Sequence, residues 1–247
     1  MIANVSASDV LDDAEEPDIP DLHVEDDFNI TSDNIANYFS KGVLKSDYVN
    51  SSLTFNGNFE NLGVLKVNRD NVTFNGNDCV FFNTVFDVSA SNVTLSNMTF
   101  ILNESFEEVE GSCILIRGNN AVLNNIHINY TASSDSDAYA VYSYGTSKEP
   151  VDNLTIVNSV IDFVGENYAE NVYNYAVRLD YSPNALIENN TINTKLILKP
   201  VNFNNIYVES DSDYSLSLGA SNSDNLRFIS KNGSNFSHKS TWNNHIQ

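Results

Sequence analysis

Five stretches of this chain share one pattern: DNVTFNGNDCVF from residue 70, SNVTLSNMTF from 91, NNAVLNNIHI from 119, DNLTIVNSVI from 152 and PNALIENNTI from 183. Each reads asparagine, apolar, variable, apolar, variable, then Asn or Gly, followed by further alternation. The leading residues, Asn71, Asn92, Asn120, Asn153 and Asn184, recur at spacings typical of stacked repeat units. Between them lie short alternating runs rich in Val, Ile, Thr and Phe, with no helical periodicity. Strands recurring at this spacing without helices between them pair with their own copies one repeat on. Such pairing forms parallel ladders with a rise of about 4.8 Å per repeat. The pattern predicts an all-β chain, a right-handed parallel β-helix.

The second shared position of the pattern holds Gly76, Asn97, Asn125, Asn158 and Asn189. Gly and Asn are the residues that most readily accept the left-handed backbone of a tight bend, so each is expected to mark a corner. Stacked from repeat to repeat, the amides of Asn97, Asn125, Asn158 and Asn189 are expected to form a buried hydrogen-bonded ladder.

Residues 1–28 carry a dense acidic run with two prolines, which predicts an unpacked leader. The opening MIANVSASDV resembles the end of a secretory signal, which points to export. Residues 29–47 are expected to form a cap helix over about residues 33 to 41, with Ser32 or Asp33 at its start and Gly42 at its end. Residues 48–230 are expected to hold about seven β-helix repeats. Residues 231–247 alternate weakly and are expected to fray or to lead into a longer protein.

Twelve basic against 33 acidic side chains give a formal charge of −21. That balance argues against nucleic acid or an anionic membrane surface as partner, since both require basic charge. No apolar run is long enough to insert in a membrane. Cys79 and Cys113 fit neither a metal nor a redox spacing and are expected to be buried free thiols, a disulfide being the alternative. Asn-x-Ser/Thr occurs at Asn71, Asn92, Asn97, Asn103, Asn129, Asn153, Asn189, Asn232 and Asn235. Glycans are expected on Asn103, Asn129 or Asn232 before Asn97 or Asn189, because corner asparagines are committed to the stack.

The segment SLTFNGNFENLGVLKVNRDNVTFNGN, followed by FFNTVFDVSASNVTLSNMTF, resembles the Asn- and Thr-rich adhesin-like surface proteins of gut methanogenic archaea. The resemblance covers about residues 29 to 195. It implies the pectin-lyase-like form of the β-helix, a place at the cell surface and a role in attachment. Carbohydrate or a cell-surface protein would then be the ligand.

β-Helices also carry polysaccharide lyases and hydrolases, which need carboxylates paired with a Lys or Arg. The best such stretch is Tyr175 to Tyr181, where alternation turns Val177 and Leu179 inward and Arg178 and Asp180 outward. An ordinary ion pair explains the latter two as well. His127 is expected to face outward alone. Asp135, Asp137, Asp211 and Asp213 lack the Gly and terminal Glu of a calcium loop and predict flexible acidic loops that attract divalent cations loosely. No cofactor is implied.

Aligning Ala140 to Tyr144 with Ala176 to Asp180 stands Tyr142 over Arg178 and Tyr144 over Asp180. Tyr139, Tyr175 and Tyr181 lie close by. This predicts an exposed tyrosine platform, a contact face for sugar rings or a protein. Three readings follow: a non-catalytic adhesin-like protein, favoured; a glycan-cleaving enzyme; and a structural spacer of the surface coat.

Overall fold

The computed structural model describes residues 28–132, 136–165, 173–196, 199–202, 204–209, 215–219, 226–231 and 235–238. The chain is all-β: its strands join in one sheet of mixed, mainly parallel pairing. Among the described residues, helix is limited to one turn at Ile35–Tyr38 and short 3-10 turns at Ser46–Tyr48 and Glu107–Val109.

Three runs of parallel pairing carry the repeats. In the first, Phe28–Ile30 pairs with Ser52–Phe55, and this with the start of Thr73–Val88. The run continues through Thr94–Leu102, Val122–Ala132, Thr155–Val157 and Leu186–Glu188. The second passes from Val122–Ala132 through Val160–Gly165 to Thr191–Leu196. The third passes from the end of Thr73–Val88 through Ser112–Ile116 and Ala138–Tyr144 to Asn174–Asp180. Among the described residues two antiparallel pairs interrupt the pattern, Phe39–Ser40 with Val43–Leu44 and Thr191–Leu196 with Lys199–Asn202.

Register places like residues over like. Leu53, Phe74, Leu95, Leu123, Ile156 and Ile187 form one inward column, all buried. Each such side chain contributes roughly 1.5–3 kcal/mol of apolar burial. Beside them Phe55, Phe74, Phe81, Phe86 and Phe100 pack ring against ring; Phe81 and Phe100 stack at 5.3 Å between centroids. This continuous apolar interior follows from repetition, because no single repeat could bury its own inner face.

The corner asparagines have the left-handed backbone expected of them: φ is 56° at Asn97, 53° at Asn125, 53° at Asn158 and 58° at Asn189. Asn125 donates to Asn97 at 2.8 Å and Asn189 to Asn158 at 2.6 Å, while Asn158 reaches Asn124 rather than Asn125, at 3.0 Å. These corners are not buried: Asn125, Asn158 and Asn189 are exposed and Asn97 is half-buried. A bend projects its side chain away from both strands, so the amides meet in solvent-facing rows. Gly76 is not a left-handed corner; Asn77 and Asp78 take that backbone, at φ 47° and 59°. Gly76 is required for a different reason, since a Cβ there would collide with the carbonyl oxygen of Asn97.

A second row was not anticipated. The leading asparagines are left-handed too, and Asn71 donates to Asn50 at 2.7 Å, Asn92 to Asn71 at 2.7 Å, Asn120 to Asn92 at 2.8 Å and Asn153 to Asn120 at 2.9 Å.

The N-terminal end differs from expectation. The helix spans Ile35–Tyr38 only, with Asn34 at its N-cap and no side-chain cap bond. Phe39, expected on that helix, is a buried strand residue. Gly42 sits in the tight turn between Phe39–Ser40 and Val43–Leu44, at φ 78°. Phe28, placed by sequence in the leader, begins a strand and packs on Tyr48 at 5.3 Å. At the other end, Asn235–His238, within the expected fraying tail, pairs in parallel with Ser215–Gly219. Residues 1–27, Asp135, Asp211, Asp213 and Asn232 lie outside the described residues.

Candidate functional site

Register brings the residues singled out in the sequence together as the alignment predicts: Tyr142 pairs with Arg178 and Tyr144 with Asp180. Val177 and Leu179 are buried. Tyr139 and Tyr142, three positions apart, both lie against Arg178. Alternation counted from Val141 would set Tyr139 on the opposite side from Tyr142, yet both rings meet the one guanidinium.

Arg178 is enclosed on several sides. Its guanidinium carbon lies 5.2 Å from the Tyr139 ring centroid and 4.7 Å from that of Tyr142. Nε donates to both Asp180 oxygens at 3.1 Å, Nη2 lies 2.9 Å from Oδ2, and Nη1 donates to the Tyr139 hydroxyl at 2.7 Å. The Tyr142 hydroxyl donates to Asp180 Oδ2 at 2.6 Å. Tyr139 in turn donates to Asp137 Oδ2 at 3.2 Å, and Asp137 Oδ1 accepts the backbone N–H of Tyr173 at 2.8 Å. Gly111 permits this arrangement, because a Cβ there would collide with the Asp137 carbonyl.

Burial pushes the Tyr142 phenol far above its ordinary range, and the bond to Asp180 adds to the shift. Burial also raises that of Tyr139, against the Arg178 charge. For Arg178 burial works against the charge, but the bonds and field of Asp180 outweigh it and hold the guanidinium firmly protonated.

The exposed platform is corrected in part. Tyr142 is 3% exposed and Asp180 6%, so both face outward yet are covered by their neighbours. Tyr139 and Tyr175 are buried with them. Tyr144 remains open at 43%, meeting Tyr142 edge-on at 5.4 Å. The structure adds Tyr173, 50% exposed and stacked on Tyr175 at 6.3 Å, which the sequence reading passed over. Its only signal was its position two residues before Tyr175. Asp137 is likewise not in a loose loop; its carboxylate holds Tyr139 and Tyr173.

His127 is not alone: its Nε2 lies 3.3 Å from Asp162 Oδ2, which belongs to the next repeat. No nucleophile is hydrogen-bonded to it among the described residues. Asp87 is buried, with Oδ1 lacking a partner and Oδ2 3.7 Å from Arg117 Nη2. Burial raises its pKa, opposed by the charges of Arg117 and Lys66. Cys79 and Cys113 are free and buried, and burial lifts the Cys79 thiol to about 12. Asn103 and Asn129 are exposed, whereas the side-chain amides of Asn97 and Asn189 are engaged in the stack.

Among the described residues no group of His, Cys, Asp and Glu is arranged to hold a metal ion, and no helix is long and apolar enough to cross a membrane. No protein family, curated protein or solved structure matches the chain.

Proposed function

We propose that this chain is a right-handed parallel β-helix acting outside the cell as a non-catalytic, adhesin-like attachment protein. It contacts carbohydrate or a cell-surface protein through the rim of the tyrosine corner, Tyr144 and Tyr173. The handedness rests on the strong general preference of parallel crossover connections. One observation carries the functional reading. The carboxylate of Asp180 is enclosed by Arg178 and Tyr142 and saturated with their hydrogen bonds, which suits a rigid support better than an acid or base that must exchange protons with substrate. Two aromatic faces stand open beside that support, and rings held on rigid strands bind with little ordering cost.

Exposing the purified protein to a glycan array with and without calcium, together with a reducing-sugar assay on polyuronides, tests this. Retention on the array without sugar release is the expected outcome, with retention weakened by Tyr144→Ala combined with Tyr173→Ala. Sugar release abolished by Asp180→Asn would make the protein an enzyme. Absence of any retained glycan or cell-surface protein would leave the spacer reading.

A further inference from the structure

The first run of parallel pairing presents an outer face of a different character. One outward column holds Ser52, Thr73, Thr94, Val122 and Thr155. The adjacent column holds Thr54, Asn75, Ser96, Asn124 and Val157. In these two columns no side chain is charged, and every one is half-buried or exposed. At a strand spacing of about 4.8 Å the face runs roughly 19 Å along the stack. Its first charge is Glu188, on the strand that follows.

Both long edges are closed by the amide rows, Asn71 to Asn153 on one side and the Asn97, Asn125 and Asn158 corners on the other. The acids before the first row are turned to the stack: Asp70 accepts the Ser91 N–H at 2.7 Å and Asp152 the Asn184 amide at 2.9 Å. Within the face, the Ser96 hydroxyl donates to the Phe74 carbonyl and the Asn75 and Asn124 oxygens accept corner amides. The hydroxyls of Thr54, Thr73, Thr94 and Thr155 make no hydrogen bond within the described protein.

We propose that this face is a second contact surface, which takes an uncharged, hydroxyl-rich polysaccharide lying flat across the strands. Charge selects the occupant. The chain carries −21, and the other outward faces hold Lys66, Asp87, Arg178 and Asp180 or His127 and Asp162. A polyanion is repelled by the molecule as a whole, and a second copy brings −21 against −21. A basic partner gains more from the acidic surface elsewhere. A neutral polymer alone loses nothing here. Threonine hydroxyls supply donors and acceptors for sugar hydroxyls, and the methyl groups of Thr and Val supply apolar area for the C–H faces of the rings. The proposal deepens the attachment reading and rests on it, but adds a surface distinct from the tyrosine rim.

The test uses the full chain and its depletion from solution by microcrystalline cellulose and by insoluble chitin, with polygalacturonate as the anionic comparison. Depletion by at least one neutral polymer, unaffected by added salt, is expected. Thr94→Lys with Thr155→Lys should weaken it about tenfold or more while leaving the thermal transition in place. Should that variant not fold, Thr94→Val with Thr155→Val keeps the shape, removes the hydroxyls and should weaken depletion as well. Binding lost in the Tyr144→Ala, Tyr173→Ala variant but kept in the threonine variants would overturn this face and leave the attachment reading standing. A wild-type dimer in sedimentation that the Lys substitutions dissociate would assign the face to a second copy and overturn the proposal. Depletion by neither neutral polymer would overturn it too, with the glycan array then deciding separately on attachment.

Discussion

Tyr142 donates its phenolic hydrogen to Asp180 Oδ2 at 2.6 Å, across two neighbouring repeats and 38 residues of chain. The bond lies beneath the Arg178 guanidinium, so a phenol, a carboxylate and a cation form one enclosed unit. Asp180→Asn leaves the largely enclosed Arg178 without its counter-charge and should cost about 2–3 kcal/mol of stability. Tyr142→Phe removes only a charge-assisted hydrogen bond and should cost about 1–2 kcal/mol. Urea unfolding of both variants checks the order: a smaller loss for Asp180→Asn than for Tyr142→Phe would contradict the enclosed-pair account.

Alkaline pH provides an independent reading of the same burial. The folded protein holds Tyr130 at about 12, with Tyr139 and Tyr142 raised as well, whereas an unfolded chain ionises its phenols near pH 10. The stability these groups contribute is therefore complete below about pH 10 and is lost as pH rises through their folded values. Phenolate difference absorbance should show a protonated set persisting to about pH 12 in the native state. Unfolding free energy should fall with pH above about 10, less steeply in Tyr142→Phe.

Asp87 follows the same sign in a lower pH window, so at neutral pH its contribution is already lost. Its folded pKa is raised by burial, so its favourable contribution is complete below about pH 4, where the unfolded group is also protonated, and is lost as pH rises through the folded value. Asp87→Asn should stabilise the protein by about 1 kcal/mol at pH 7. That gain should vanish in acid, and thermal transitions at the two pH values measure it.

The amide row makes a graded prediction at Asn120, which donates to Asn92, accepts from Asn153 and holds φ at 56°. Asn120→Gly loses the bonds but keeps an easy left-handed backbone, for a cost of about 1 kcal/mol. Asn120→Ala adds the strain of a Cβ in that region, for a total of about 2 kcal/mol. Equal losses in denaturant titrations would show that the left-handed backbone adds no strain and would contradict this grading.

Much of the architecture was legible because repetition converts sequence alignment into spatial register. Asn71 to Asn184 gave the period, alternation turned Val177 and Leu179 inward, and the match of Ala140–Tyr144 to Ala176–Asp180 placed Tyr142 on Arg178. The short helix was less legible. SDNIANYF has a helical start signal, but Phe39 is drawn into a strand by burial and by contact with Phe74 at 6.3 Å, and tertiary packing outweighs a weak local preference.

The sequence by itself determined which side of a strand each residue takes, since that depends on a local period of two and on neighbours one repeat away. Only the tertiary structure decided whether an outward residue meets solvent. Tyr142 faces out and is covered, because the Tyr139 ring lies 4.8 Å away and the next repeat lays Arg178 over its ring. Thr94 faces out and stays half-exposed, because its neighbours in register are the short side chains of Thr73 and Val122. Exposure depends on the size and reach of side chains from several repeats at once, a quantity no single stretch of sequence contains.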